Sequence, residues 1–117
     1  MTNIKTEDDY KREIELINAE FPTAKFSIAI DYDKLDEVIS LERTIYILNK
    51  PVCGCYEGRD KPKKQVYKII SNKPITYRIL FKKLILQNYS LKCNHSFIED
   101  IFAIEGQSNV YDFMLGS

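Results

Sequence analysis

Ile75-Thr76-Tyr77-Arg78-Ile79-Leu80-Phe81-Lys82-Lys83-Leu84-Ile85-Leu86 is the stretch that sets the fold. Tyr77, Leu80, Phe81, Leu84 and Ile85 recur at i, i+3, i+4, i+7 and i+8, which puts them on one stripe of an α-helix. Arg78, Lys82 and Lys83 take the outer face. The helix opens at about Ile75 or Thr76, behind the break Asn72-Lys73-Pro74, and runs to Tyr89. It is the core helix of the chain, and the sequence on either side supplies the sheet for it to pack across.

Toward the N-terminus, Thr44 to Leu48 is β-branched and aromatic and reads as a strand. Lys25 to Tyr32 alternates, with Phe26, Ile28, Ile30 and Tyr32 on one side and Lys25, Ser27 and Asp31 on the other, the pattern of a half-buried strand. Residues 33–42 fit a short helix capped by Asp33, with Leu35, Val38 and Ile39 inward; the same residues also fit a strand. A first helix begins at Thr6, an N-cap with Asp9 at the capping-box position and Glu7 and Asp8 in the first turn. Its stripe is Tyr10, Ile14, Ile17 and Phe21, and Pro22 ends it. Val52 to Glu57 and Gln65 to Ser71 read as a central hairpin around the loop Gly58 to Lys64, with Val66, Lys68 and Ile70 facing away from Tyr67 and Ile69. Toward the C-terminus, Phe97 to Glu105 and Val110 to Leu115 are strands joined by the turn Gly106-Gln107-Ser108-Asn109. Phe97, Ile101 and Ala103 share a parity, while Ile98, Phe102 and Ile104 are apolar too, so this strand reads as buried on both faces. The expectation is a single α+β domain over residues 1–117: a mostly antiparallel sheet with a central hairpin and two main helices on one face.

Length and composition agree. A chain of 117 residues, 44% hydrophobic and 29% charged, builds a core without disulfide staples. No apolar run reaches the roughly 20 residues of a membrane span. The first nine residues are polar and acidic, unlike a signal peptide. Three cysteines, an odd count, then point to thiols or metal ligands in a cytosolic or nuclear setting.

The formal net charge of zero hides a split. Residues 1–42 carry five Lys and Arg against eleven Asp and Glu, residues 43–96 carry twelve against two, and residues 97–117 carry none against four. The segments either neutralise one another in the fold or leave a basic face for an anionic partner, nucleic acid or an acidic protein. For the second reading, Arg59, Lys61, Lys63 and Lys64 on the loop would grip phosphates. Tyr56 and Tyr67 would offer ring faces to unpaired bases, and Arg78, Lys82 and Lys83 would extend the surface. An edge strand also permits a homodimer.

Cys53-Gly54-Cys55 and Cys93-Asn94-His95 hold every cysteine and the single histidine. In extended backbone, residues i and i+2 project to one side, so each stretch presents two ligand atoms together. Cys53, Cys55, Cys93 and His95 make a complete tetrahedral set for one structural zinc. The alternative is that the cysteines are small buried hydrophobes. A third reading, a cysteine-dependent enzyme with a thiolate at Cys93 or Cys55 and His95 as base, lacks any local thiol-enzyme signature. Asp31/Asp33 and Glu99/Asp100 read as solvated edge carboxylates. There is no Gly-rich phosphate loop, since Gly54 and Gly58 are isolated, and the first reading is a non-enzymatic binding module.

Lys73-Pro74-Ile75-Thr76-Tyr77-Arg78, Cys93-Asn94-His95-Ser96-Phe97-Ile98-Glu99 and the terminal Gly116-Ser117 resemble small uncharacterised proteins of giant DNA viruses, in which a PITYR helix start, a CNHxFxE segment and a terminal GS recur. The resemblance covers about the C-terminal half. It implies an intracellular viral factor and carries no activity with it.

Overall fold

A computed structural model of the chain describes residues 6–49, 65–89 and 97–116. Helix α1 spans Glu7–Glu20 and helix α2 spans Tyr77–Leu86. The strands are β1 (Ser27–Ile28), β2 (Val38–Ser40), β3 (Thr44–Asn49), β4 (Gln65–Ile70), β5 (Ile75–Thr76), β6 (Phe97–Ala103) and β7 (Val110–Gly116). A 3-10 turn, Tyr32–Asp36, precedes β2, so the ambiguous stretch resolves into a tight turn followed by a short strand.

The main sheet has five strands in the order β1-β6-β7-β3-β4, and β2 pairs with β5 separately. The α+β class holds, but the sheet is mixed rather than mostly antiparallel. β3 with β4 and β6 with β7 are antiparallel, whereas β1 with β6 and β3 with β7 are parallel. Gln65–Ile70 registers residue for residue on Thr44–Asn49, from Thr44 opposite Ile70 to Asn49 opposite Gln65, and among the described residues β4 is the last strand in the order. The expected partner strand Val52–Glu57 lies outside the described residues.

Alternation decides which side chains face the helices. Ile45 and Ile47 of β3 and Ile69 of β4 are fully buried, Phe113 of β7 nearly so, and Tyr67 is half-buried beside them. They form one core with Leu80, Phe81 and Leu84 of α2, with Ile17 of α1 and with Phe21, its C-cap. Val66 and Ile70 point to the other face and are exposed, as the sequence alternation required. On β6 the expected parity fails. A register shift between Ile98 and Asp100 inserts a bulge residue, so Ile98 is buried while Phe97 and Phe102 are exposed.

Both helix starts are built as their sequences dictate. Thr6 Oγ1 accepts from Asp9 N at 3.2 Å, and Asp9 Oδ2 accepts from Thr6 N at 2.9 Å. Thr76 Oγ1 accepts from Ile79 N at 3.2 Å. Helix α2 stops in a Schellman closure: Tyr89 N donates to Leu84 O, Asn88 N donates to Ile85 O, and Asn88 has φ 58°. The closure swings Tyr89 under the sheet, where its ring meets Phe26, Tyr67 and Phe113 edge-on at 5.1–5.8 Å. Asn tolerates the left-handed region; a β-branched residue does not. Asn88→Val is therefore expected to lower unfolding stability by about 1–2 kcal/mol in urea denaturation. Asn88→Gly should match or slightly exceed the parent, and an Asn88→Val protein of full stability would contradict the closure.

The outer side of β4, the last strand among the described residues, is guarded. Tyr46 N donates to Asn109 O, toward β7, so the backbone of Lys68, paired with Tyr46, points to the open side. Gln87 Nε2 donates to Lys68 O at 2.8 Å. A lysine mid-strand and a carbonyl already occupied both oppose the addition of a further strand there.

Candidate functional site

Tyr56, Arg59, Lys61, Lys63 and Lys64 lie outside the described residues, and so do all four zinc candidates, Cys53, Cys55, Cys93 and His95. Of the described members of the basic set, Tyr67 turns its ring inward onto Tyr89 at 5.1 Å and 73°. Arg78 also turns into the fold. Its Nε donates to Asp36 Oδ1 at 3.0 Å, its Nη2 reaches Asp36 Oδ2, and its Nη1 donates to Glu20 Oε1. Its guanidinium lies 5.4 Å from the centre of the Tyr32 ring. One cation thus joins α1, the 3-10 turn and α2. Lys82 is exposed and Lys83 half-buried on α2. Part of the basic middle therefore neutralises the acidic N-terminal segment inside the fold.

The strand ends carry the rest of the geometry. Asn49 and Gln65 are paired, Phe97 is opposite Gly116, and β7 runs parallel to β3. Residues 49, 65, 97 and 116 consequently sit at one end of the main sheet. Residues 50–64 leave and re-enter the described fold at that end, and residues 90–96 run into it. β7 alone lies between β3 and β6, about 10 Å across at the usual strand spacing, and Phe97 stands about four residues further along the sheet than Asn49.

Three carboxylates gather between α1 and the 3-10 turn. Glu13, Asp31 and Asp33 bring ligand oxygens within 4.8 Å of one another. Glu13 Oε1 accepts from Tyr32 N at 2.6 Å, so this glutamate anchors the turn. Beside them a groove of about 270 Å³ is walled by Tyr10, Ile14, Ile17, Ile28 and Phe97. Tyr10 and Ile14, the N-terminal half of the α1 stripe, are 54% and 56% exposed. Their helix face is the apolar one the sequence expects, exposed at this end although Ile17 further along it is buried.

A polar link that the sequence did not signal ties β6 to α2. Tyr77 Oη donates to Asp100 Oδ1 at 2.9 Å, and Lys34 Nζ lies 3.8 Å from the same oxygen. Ile101 N donates to Asp100 Oδ1 at 2.8 Å. That backbone hydrogen bond, with help from Tyr77 and Lys34, holds the Asp100 carboxyl below its ordinary value. Burial, and then the hydrogen bond to Asp100, push the Tyr77 phenol above its ordinary value. Burial and the nearby Asp112 push Tyr89 the same way. A lowered carboxyl stabilises the fold above the ordinary pKa of about 4, and that contribution fades as pH falls below it. A raised phenol stabilises below about pH 10, and its contribution is lost as pH climbs past that value. In a near-ultraviolet titration, Tyr77 and Tyr89 are expected to stay protonated beyond about pH 10 until the fold opens. Tyr77→Phe should remove one late-ionising group and raise the Asp100 pKa. Ionisation of all eight tyrosines in one step near pH 10, with the fold intact, would contradict this.

Among the described residues no helix is long and apolar enough to cross a membrane. Comparison with known proteins finds no matching family model, no matching curated protein and no matching solved structure.

Proposed function

We propose that this chain is a non-enzymatic binding module that engages an anionic partner, in the first place single-stranded nucleic acid, through its basic middle segment. The convergence of strand ends carries the reading. Residues 50–64 contain five Lys and Arg against two Asp and Glu, and they join the fold at the end of the sheet where residues 90–96, with Lys92, also arrive. Arg78 is neutralised elsewhere by Glu20 and Asp36, so Arg59, Lys61, Lys63 and Lys64, with Tyr56, form the contact set, with Lys82 and Lys83 secondary. Tyr67, packed on Tyr89, supports the core rather than the contact. The resemblance to small proteins of giant DNA viruses gives the module an intracellular viral setting.

Fluorescence anisotropy with a labelled oligonucleotide tests the proposal. Binding should weaken steeply between about 50 and 200 mM salt, as expected when several phosphates are neutralised. Lys61→Glu/Lys63→Glu/Lys64→Glu should abolish it at the higher salt. Absence of binding at low salt, or indifference to the triple variant, sinks the reading. Equal binding to polyglutamate moves the partner to an acidic protein.

The same strand-end geometry favours a second reading, a structural zinc on Cys53, Cys55, Cys93 and His95. Cys53 and Cys55 follow the end of β3 by four and six residues, and Cys93 and His95 precede the start of β6 by four and two. An extended chain covers about 3.5 Å per residue, ample to bridge strands roughly 10 Å apart. Four protein ligands would leave no open catalytic position, and metal binding would stabilise the fold directly. Elemental mass spectrometry on untagged protein, with melting in and out of chelator, decides it. One zinc per chain and a lower melting temperature in chelator are expected. No metal and an unchanged melt remove this reading and leave the first untouched.

A further inference from the structure

The two outer strands of the main sheet differ. Among the described residues β4 closes one side of the order and β1 the other. The outer side of β4 carries a lysine strand position and a carbonyl already bonded to Gln87. β1 has neither, since its residues are Ser27 and Ile28. Ala29 N donates to Ile98 O at 2.8 Å, toward β6, so by strand alternation the N–H and C=O of Ile28 point away from β6. The groove of about 270 Å³ lies between this stretch and α1: Ile28, Ala29 and Asp31 form one wall, and Tyr10, Glu13 and Ile14 the other. Tyr10, Ile14 and Phe97, which also lines it, are exposed. The charge there has one sign. Glu13 and Asp31 line the groove and Asp33 stands within 4.8 Å of both, whereas no basic side chain lines it among the described residues. Arg12 lies in the neighbouring groove, on the other side of Glu13. Glu13 holds Tyr32 N, so Asp31 and Asp33, both exposed, are the charges an incoming group meets.

We propose that this groove docks an extended, apolar segment of a partner protein with a basic side chain at one end. Its backbone pairs with Ile28, its apolar side chains cover Tyr10, Ile14 and Phe97, and its lysine or arginine faces Asp31 and Asp33. The same carboxylates repel an acidic or phosphate-bearing segment. They also oppose a second copy docked through the same face, because two sets of carboxylates would then meet. The surface is opposite in sign to the basic segment of the proposed function, and the two readings stand or fall separately.

The test is a two-dimensional amide NMR titration of the full chain with the peptide acetyl-Val-Thr-Val-Lys-amide and with acetyl-Val-Thr-Val-Glu-amide. The lysine peptide should shift the amides of Ile14, Ile28 and Ala29 and slow hydrogen exchange at Ile28 N. In low salt it should bind about tenfold more tightly than the glutamate peptide, one exposed pairing gained against one repulsion. Added salt should narrow that difference. Asp31→Asn/Asp33→Asn should erase it and leave the Glu13 anchor in place. Ile14→Ser, at an exposed position outside the core, should weaken both peptides several-fold with the fold intact. Equal affinity for the two peptides, shifts confined to other residues, or full affinity in Ile14→Ser overturns the proposal. Self-association of the chain that Ile14→Ser abolishes also overturns it and gives the groove to a second copy.

Discussion

Phe81→Ala is expected to lower unfolding stability by about 3–5 kcal/mol, the range for deleting a buried aromatic ring. Phe81 is fully buried on α2, and its ring touches three others: Phe21, the C-cap of α1, edge-on at 6.0 Å, Phe26 at 6.0 Å and Tyr77 at 6.3 Å. The substitution removes the apolar transfer energy of the ring and leaves a cavity at the meeting point of α1, α2 and the segment before β1. Those neighbours are held at both ends, by Tyr89 on one side and the Asp100 link on the other, so they cannot collapse to fill it. A domain of this size has only about 5–15 kcal/mol in hand, so the variant should be partly unfolded at 37 °C. Phe81→Leu, which keeps most of the volume, should cost about 1–2 kcal/mol. Urea denaturation with matched m-values checks both. An alanine variant within about 1 kcal/mol of the parent would mean that Phe81 is not the keystone between the helices.

What made Phe81 legible is also what limits reading from sequence. Spacing along one element says which residues share a side: it identified α1 and α2 with their inward stripes, the two faces of β4, and β3 and β7 as strands. It does not say which strand lies next to which. The two parallel pairings, β1 on β6 and β3 on β7, join residues 64 or more positions apart and leave no local mark. Nor does spacing say what covers a face: of the α1 stripe only Ile17 and Phe21 are buried, while Tyr10 and Ile14 are exposed. A single bulge residue near Glu99 was enough to upset the parity read for β6. At the site, Tyr67 could have been placed correctly. It alternates with Val66 and Lys68 and shares a side with Ile69, the core side, so its ring was never on the same face as an exposed strand surface. Arg78 could not. On the helix it stands on the polar side, and only the arrival of Glu20 and Asp36, 58 and 42 residues away in sequence, turns that side into an interior.

Arg78 is therefore the residue at which charge pattern and fold meet, and Arg78→Met is the second large effect. The two ion pairs are not equal. Asp36 is 74% exposed in its side chain, so water already solvates it and its pair with Arg78 is worth under about 1 kcal/mol. Glu20 and Arg78 are 20% and 22% exposed, and one Glu20 oxygen is already without a partner. Methionine keeps the stem that lies along α1 and α2 but strands a largely buried carboxylate, and the loss should be about 2–3 kcal/mol, less than for a fully buried pair because some water reaches the site. Asp36→Asn should cost under about 1 kcal/mol. Adding Glu20→Gln to Arg78→Met should recover about half of the loss, since the neutral amide no longer demands a counter-charge. Arg78→Lys should fall between, because an ammonium cannot address Glu20 and Asp36 at once as the planar guanidinium does. A double-mutant cycle in urea gives the coupling of Glu20 with Arg78 directly. If that coupling is below about 0.5 kcal/mol, the interior neutralisation has no energetic weight. Arg78 would then be as available to an outside anion as Lys82, and the basic surface would have to be redrawn to include it.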